Sequence, residues 1–309
     1  LDSNFNFEIN FSYNKFDSIA VILISKIFSN IVFLDISFNN IGNYGVTHLN
    51  NSSFKNLNYL NLSYNGISEE GMSSLSKLSL KNLNTIDLSG NELNTNALKH
   101  FKNSSFLNLK NLILSSNDIS DEGIQIHFSL EYEMPEKKYL EYLIQNSENK
   151  AFFYNLEKLD ISNNNLSYSS IEFLSKCNVT RLKQLNLTGN SISDKGIEWL
   201  SKCDFKELTS LELCSNNISD VGVEYLSKSQ FKKLTLLNLS HNTITDLGIE
   251  FLCLSDFSFL INLSLYNNSL EENAIVYLNN SNFKLKILDI SNNSLCKIES
   301  SNKNLTDLE

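Results

Sequence analysis

Eleven segments of this chain share one spacing of leucine or isoleucine and asparagine. Aligned on the asparagine they read INFSYNKF (Asn14), LDISFNNI (Asn39), LNLSYNGI (Asn65), IDLSGNEL (Asn91), LILSSNDI (Asn117), LDISNNNL (Asn164), LNLTGNSI (Asn190), LELCSNNI (Asn216), LNLSHNTI (Asn242), LSLYNNSL (Asn268) and LDISNNSL (Asn293). Successive asparagines lie 26 residues apart nearly everywhere; the step is 25 at each end and 47 between Asn117 and Asn164. A single unit of this size cannot bury its own apolar face. A chain that repeats it is driven to stack its units into a solenoid.

Each position has a physical reading. The pattern LxxLxLxxN fits neither a plain helix nor a plain strand. Its leucines turn inward onto those of the next copy, and the short xLxL segment is a strand that pairs in parallel with its neighbour. The asparagine also points inward, where its amide bonds the backbone of its own turn and of the adjacent one. Burial of so polar a group requires that pairing. A helix is expected next. ISDEG at 119–123, ISDKG at 192–196, ISDVG at 218–222 and ITDLG at 244–248 place Ser or Thr and then Asp ahead of an apolar pair, which are helix N-cap signals. Apolar residues then recur three apart, as in Ile197 and Leu200, and share one face. Phe28, Phe54, Phe106, Phe153, Phe205, Phe231 and Phe257 close their units and are expected to stack as a second core row.

These motifs resemble those of leucine-rich repeat proteins, and the resemblance covers nearly the whole chain. The 26-residue unit with its ISDxG helix start is similar to the ribonuclease-inhibitor-like class. In length it also approaches the cysteine-containing class of F-box partners, although it lacks that class's cysteine at the asparagine position. The resemblance implies an α/β fold, a leucine-rich-repeat horseshoe with a concave parallel β-sheet and convex helices. It implies one domain over 1–309 and protein binding through the concave face and adjoining loops.

In such an arc the non-leucine strand residues face the concavity. The slot between the two strand leucines holds five acids and no base: Asp35, Asp87, Asp160, Glu212 and Asp289, with Asn, Ile or Ser elsewhere. One reading is an acidic strip for a basic protein partner, since a concave wall focuses the field. The other is that Asp and Asn simply suit this position and face water. Phe33, Tyr59, Phe38 and Tyr64 form an aromatic group near one end and are contact candidates, because aromatic residues dominate binding hot spots.

The long step inserts 21 residues within about 128–150, FSLEYEMPEKKYLEYLIQNSENK. The segment holds the only proline, Pro135, at the start of an expected short helix carrying Tyr139 and Tyr142. Insertions of this kind are either contact elements or tolerated loops that pack on the scaffold. A third feature is the row Phe173, Trp199, Tyr225, Phe251 and Tyr277, each 26 residues from the next. It is either an exposed stripe or packing between adjacent helices.

A net charge of −10 and a single arginine, Arg181, argue against nucleic acid or an anionic membrane as partner. No apolar run approaches the roughly 20 residues of a membrane span. The odd set Cys177, Cys203, Cys214, Cys253 and Cys296 has no CxxC, so reduced thiols are expected, with Cys214 on the binding face. The histidines His48, His100, His127 and His241 are scattered over separate copies, and neither a metal-ligand spacing nor a catalytic motif occurs. A non-enzymatic, monomeric protein-binding scaffold without cofactor is therefore expected, cytoplasmic or secreted into a host cell as an effector. The alternatives are a regulator of an enzyme such as a small GTPase, in the manner of the activating protein of Ran, or the recognition part of a larger effector, receptor or ubiquitin-ligase adaptor. Both ends lack a clear polar cap, so flanking sequence or atypical caps are expected.

Overall fold

The structure is a computed structural model, and it describes residues 6–50, 52–100, 104, 106, 108–124, 155–177 and 179–295. The insertion, with Tyr139 and Tyr142, lies outside the described residues, as do Phe153, His127 and Cys296. Contacts divide the chain into two units: residues 1–165 with 177–179, and residues 166–176 with 180–309.

In the first unit six short strands pair in sequence order, all parallel: β1 (Phe7–Asn10), β2 (Ile31–Asp35), β3 (Tyr59–Asn61), β4 (Thr85–Asp87), β5 (Asn111–Ile113) and β6 (Lys158–Asp160). The second unit continues the same arrangement with β7 (Gln184–Asn186), β8 (Ser210–Glu212), β9 (Leu236–Asn238), β10 (Asn262–Ser264) and β11 (Ile287–Asp289). The central leucine or isoleucine of each strand pairs in register with its equivalent, as Leu60 with Ile86 and Leu211 with Leu237. Between strands run helices of five to ten residues. Those named below are α3 (Glu69–Ser76), α6 (Ser193–Leu200), α7 (Asp220–Ser227) and α8 (Asp246–Cys253). Each unit is an α/β solenoid with strands on one side and helices on the other.

The core follows the repeat. Leu208, Leu211, Leu213 and Ile218 are fully buried, and so are their equivalents one turn away, Leu234, Leu237, Leu239 and Ile244. Phe54, Phe106, Phe205, Phe231 and Phe257 form the expected second core row, with Phe205 and Phe231 stacked at 6.2 Å. Phe28 is only half-buried.

Inter-turn polar bonds lock this stack. Asn216 is fully buried; its amide donates to the Leu187 and Cys214 carbonyls (2.9 and 3.1 Å) and accepts from the Ile192 N–H (3.2 Å). Asn65 and Asn242 do the same in their turns.

The helix starts depart from expectation in two respects. Among the described residues Ser193 caps nothing on α6, but Ser219 and Thr245 act on their own helices, accepting from the Val221 and Leu247 N–H groups. The aspartate that follows them does not. Asp194, at the start of α6, takes the Ser219 and Gly222 N–H groups of α7 (2.8 and 3.0 Å) and the Ser219 hydroxyl (2.6 Å). Asp220 repeats this on Thr245 and Gly248 of α8. Each carboxylate thus satisfies the orphan N–H groups of the next helix and sits at the positive end of its dipole. In the first unit Asn43 does the same for Ser68 and Gly71 at the start of α3. At two of the four ISDxG starts the glycine leaves room for this contact, whereas a Cβ on Gly196 would meet Ile192 at 2.3 Å. A Cβ on Gly222 would lie 2.5 Å from an Asp194 carboxylate oxygen, and one on Gly248 2.5 Å from Asp220.

Candidate functional site on the strand face of the first unit

Every turn carries a residue with left-handed backbone immediately before its repeat asparagine, from Tyr13, Phe38 and Tyr64 through Gly90 to Asn292. L-residues pay roughly 1–2 kcal/mol for that conformation. The inter-turn bonds that hold it include Phe38 N–H to the Ser63 carbonyl and Tyr64 N–H to the Ser89 carbonyl (both 2.9 Å). The side chains at this position are turned outward. In the first three turns they are aromatic and stack face to face: Tyr13 on Phe38 at 4.1 Å and Phe38 on Tyr64 at 4.3 Å, with planes within 13° of parallel. Their exposures, 70, 37 and 44%, make this a solvent-facing surface rather than core. The stack closes over Gly90, where a Cβ would meet the Tyr64 ring at 2.4 Å.

A second stack runs beside it within the strands. Phe33 of β2 and Tyr59 of β3 are register partners and lie 4.2 Å apart, planes within 8°. Burial, with the Asp35 and Asp87 carboxylates nearby, pushes the Tyr59 phenol up, so it stays neutral and keeps its proton to donate. Of the residues selected from sequence, Phe33, Asp35, Phe38, Tyr59, Tyr64, Asp87 and Asp160 belong to the strand face of this unit. Glu212 ends β8 and Asp289 ends β11 in the second unit. Tyr13 was missed, although the dipeptides Tyr13-Asn14, Phe38-Asn39 and Tyr64-Asn65 recur at one repeat position and carry the signal.

The acidic slot has a structural job. One carboxylate oxygen of Asp35 accepts from the Ser37 N–H (3.0 Å) and hydroxyl (2.7 Å). Asp160 with Ser162 and Asp289 with Ser291 do likewise. Asn61, Asn186 and Asn238 take the equivalent N–H through their amide oxygens. Aspartate and asparagine alternate here because both close the turn, two residues on. In the first unit the second effect of the acids is mutual: burial first, then Asp160 and Asp35, hold the Asp87 carboxyl above the usual carboxylate range.

This gives a pH prediction. The fold binds the Asp87 proton more tightly than the unfolded chain does, so stability falls as pH rises through that interval and stays lower at neutral pH. Asp87→Asn keeps the oxygen that accepts from Ser89. It is expected to raise the melting temperature at pH 7, and the gain should shrink as pH is lowered toward 4. Melting curves across that range check it; a gain that does not depend on pH would refute the electrostatic cause.

The helix-side aromatic row is half-buried rather than an open stripe. Trp199 lies under two lysines, Lys202 at 4.4 Å and Lys176 at 5.7 Å from its ring, each also paired with a glutamate four residues earlier. Cys177, Cys203, Cys214 and Cys253 are free thiols. Burial pushes the Cys203 thiol above its ordinary range and that of Cys253 up to about 11, so neither is primed as a nucleophile. Cys214 sits half-buried in the strand-exit turn of the second unit beside the Ser215 hydroxyl. Among the described residues no group of His, Cys, Asp and Glu is placed to hold a metal ion, and no helix is long and apolar enough to cross a membrane.

Family models described as leucine-rich repeats match residues 29–49, 55–76, 107–125, 180–201, 207–227 and 232–253, and a second such model matches 155–177. Leucine-rich repeats are therefore present along the chain. No curated protein matches its sequence. Among solved structures it is similar to an internalin (inlF) of Listeria monocytogenes, with 22% identity, TM-score 0.56, and coverage of 90% of this chain and 72% of that one. It is also similar to the leucine-rich-repeat ectodomain of the Arabidopsis receptor kinase HAESA bound to an IDA peptide hormone. There the identity is 19% and the TM-score 0.50, and the match spans 95% of this chain but 42% of the receptor chain. At these identities the likeness establishes the fold: a leucine-rich-repeat solenoid.

Proposed function

We propose that this leucine-rich-repeat chain is a non-enzymatic scaffold that binds a protein partner through the strand face of its first unit, with the 128–150 insertion as a second contact element. Its 26-residue turns with ISDxG helix starts favour the ribonuclease-inhibitor-like class. The observation that carries the reading is the exposed stack Tyr13–Phe38–Tyr64 beside Phe33–Tyr59. Rigid aromatic area already held in place costs little entropy to bury, which is how hot spots gain their energy. Asp35 and Asp87 next to these rings, on a chain of net charge −10, favour a basic partner segment whose Lys or Arg side chains meet ring faces and carboxylates together. The chain acts as a monomer in this reading, in the cytoplasm or inside a host cell after secretion.

Affinity capture with mass spectrometry tests it. Phe38→Ala with Tyr64→Ala is expected to cost about 2 kcal/mol or more, a loss of at least roughly thirtyfold in partner affinity, with the melting temperature little changed. Deletion of 130–149 should weaken capture separately. Recovery of the same partners at the same yield by the aromatic double variant would rule out this face as the binding surface.

A further inference from the structure

Asparagine is not spread evenly over this solenoid. One repeat position, nine residues before the buried asparagine in most turns, is Asn in every turn of the first unit: Asn6, Asn30, Asn56, Asn82, Asn108 and Asn155. The same position in the second unit reads Arg181, Glu207, Lys233, Phe259 and Lys284. A compositional bias toward asparagine would not stop at one unit. The six residues line an open groove of about 660 Å³ at the entry edge of the strands, with Asn58 and Asn84 as a second column.

The hydrogen bonds within the groove leave part of it unspent. Asn30 donates to Asn6 (2.6 Å), Asn56 donates to Asn30, and Asn108 donates to the Lys81 carbonyl (2.8 Å). The side-chain amides of Asn82 and Asn84 have no hydrogen-bond partner among the described residues, yet both face the groove. The second unit treats the column of Asn84 differently. There Thr209 and Thr235 spend their hydroxyls on the carbonyls of Lys183 and Thr209 (3.0 and 2.9 Å).

We infer that this groove is a binding site for a linear, uncharged oligosaccharide. Its lining is amide, with Val32 and one cation, Lys110, which is already paired with Glu157 at 3.1 Å; nothing there selects a charged ligand. Each free amide offers two donors and an acceptor, a match for neighbouring hydroxyls on a sugar ring. Rung spacing separates this ligand from a peptide. Stacked turns repeat at about 4.8 Å, whereas like-facing groups of an extended peptide recur about every 6.7 Å and fall out of phase after one rung. A β-1,4-linked pyranose chain advances by about one rung per sugar and returns the same ring edge at about every second rung.

Isothermal titration of the whole chain with cellohexaose, chitohexaose, xylohexaose and mannohexaose tests the inference. At least one hexasaccharide is expected to bind, more tightly than its own disaccharide. Asn82→Ala with Asn84→Ala removes two neutral hydrogen-bonding groups and should weaken it about tenfold. Thr209→Ala with Thr235→Ala, at the equivalent column of the other unit, should leave it unchanged, and melting curves confirm that both variants fold. Absence of binding by all four sugars at millimolar concentration overturns the inference. So does binding that the asparagine variant leaves intact, or binding of an uncharged hexapeptide with the same loss in that variant. Because the groove lies at the strand edge and not on the aromatic stacks, Phe38→Ala with Tyr64→Ala should not alter sugar binding.

Discussion

Asn216→Leu is expected to destabilise the second unit by on the order of 3–5 kcal/mol. Leucine keeps the branched shape and is the larger side chain, so no cavity accounts for the loss. What disappears is a set of bonds inside a fully buried shell. The Ile192 N–H loses its acceptor, and the Leu187 and Cys214 carbonyls each lose one of two donors, keeping the Asn190 amide and the Gly189 N–H. The bare N–H costs about 1–3 kcal/mol, and each lost carbonyl bond adds about 0.5–1.5 kcal/mol. A urea titration followed by circular dichroism measures the total. Hydrogen exchange localises it, because the Ile192 amide should exchange faster in the variant by a larger factor than amides two turns away. A loss below about 1 kcal/mol, or an Ile192 amide still protected, would mean that the buried asparagine is a filler and not a fastener.

That role was visible in the sequence, because a polar residue that recurs on schedule among buried leucines must find bonds there. The parallel strands, the inward leucines and the phenylalanine row were legible for the same reason: burial imposes a strict period, and Leu211 or Phe231 must match its neighbour above and below. What the sequence did not disclose is geometry that crosses from one turn to the next. Asp194 reads as a cap for its own helix, since only three-dimensional stacking brings it to Ser219 and Gly222. The left-handed backbone at Phe38 and Tyr64 was equally hidden, because glycine, serine, asparagine and aromatics all occupy that position. Without it the outward stack on Tyr13 could not be anticipated. The acidic slot looked like a surface charge pattern, and the bonds from Asp35 to Ser37 show that a turn-closing requirement generates the same letters.

The second large effect belongs to Gly222. An alanine there would place its Cβ 2.5 Å from an Asp194 oxygen and 2.7 Å from the Ile218 side chain. The carboxylate must swing away and leave the Ser219 and Gly222 N–H groups bare. Gly222→Ala is expected to cost about 2–3 kcal/mol through overpacking and loss of the cap together. Asp194→Ala alone should cost about 1–3 kcal/mol, because charge-assisted bonds are lost but nothing is forced apart. The double variant is the informative one. With the carboxylate already gone, the alanine at 222 meets only Ile218, so the two costs should sum to more than the measured total. Strict additivity in denaturant titrations would show that the glycine is there for some reason other than the carboxylate.

The same contact bears on how a molecule of this kind can grow. Asp194 serves the helix after its own, and Asp220 the one after that. The turns of Asp220 and Asp246 therefore both receive a cap from behind and hand one forward. If a stretch of 26 residues is copied in tandem, the copy inherits both halves of that exchange, and no helix start is left open at either new junction. Unequal crossing-over can then lengthen or shorten the array in whole turns without any compensating mutation.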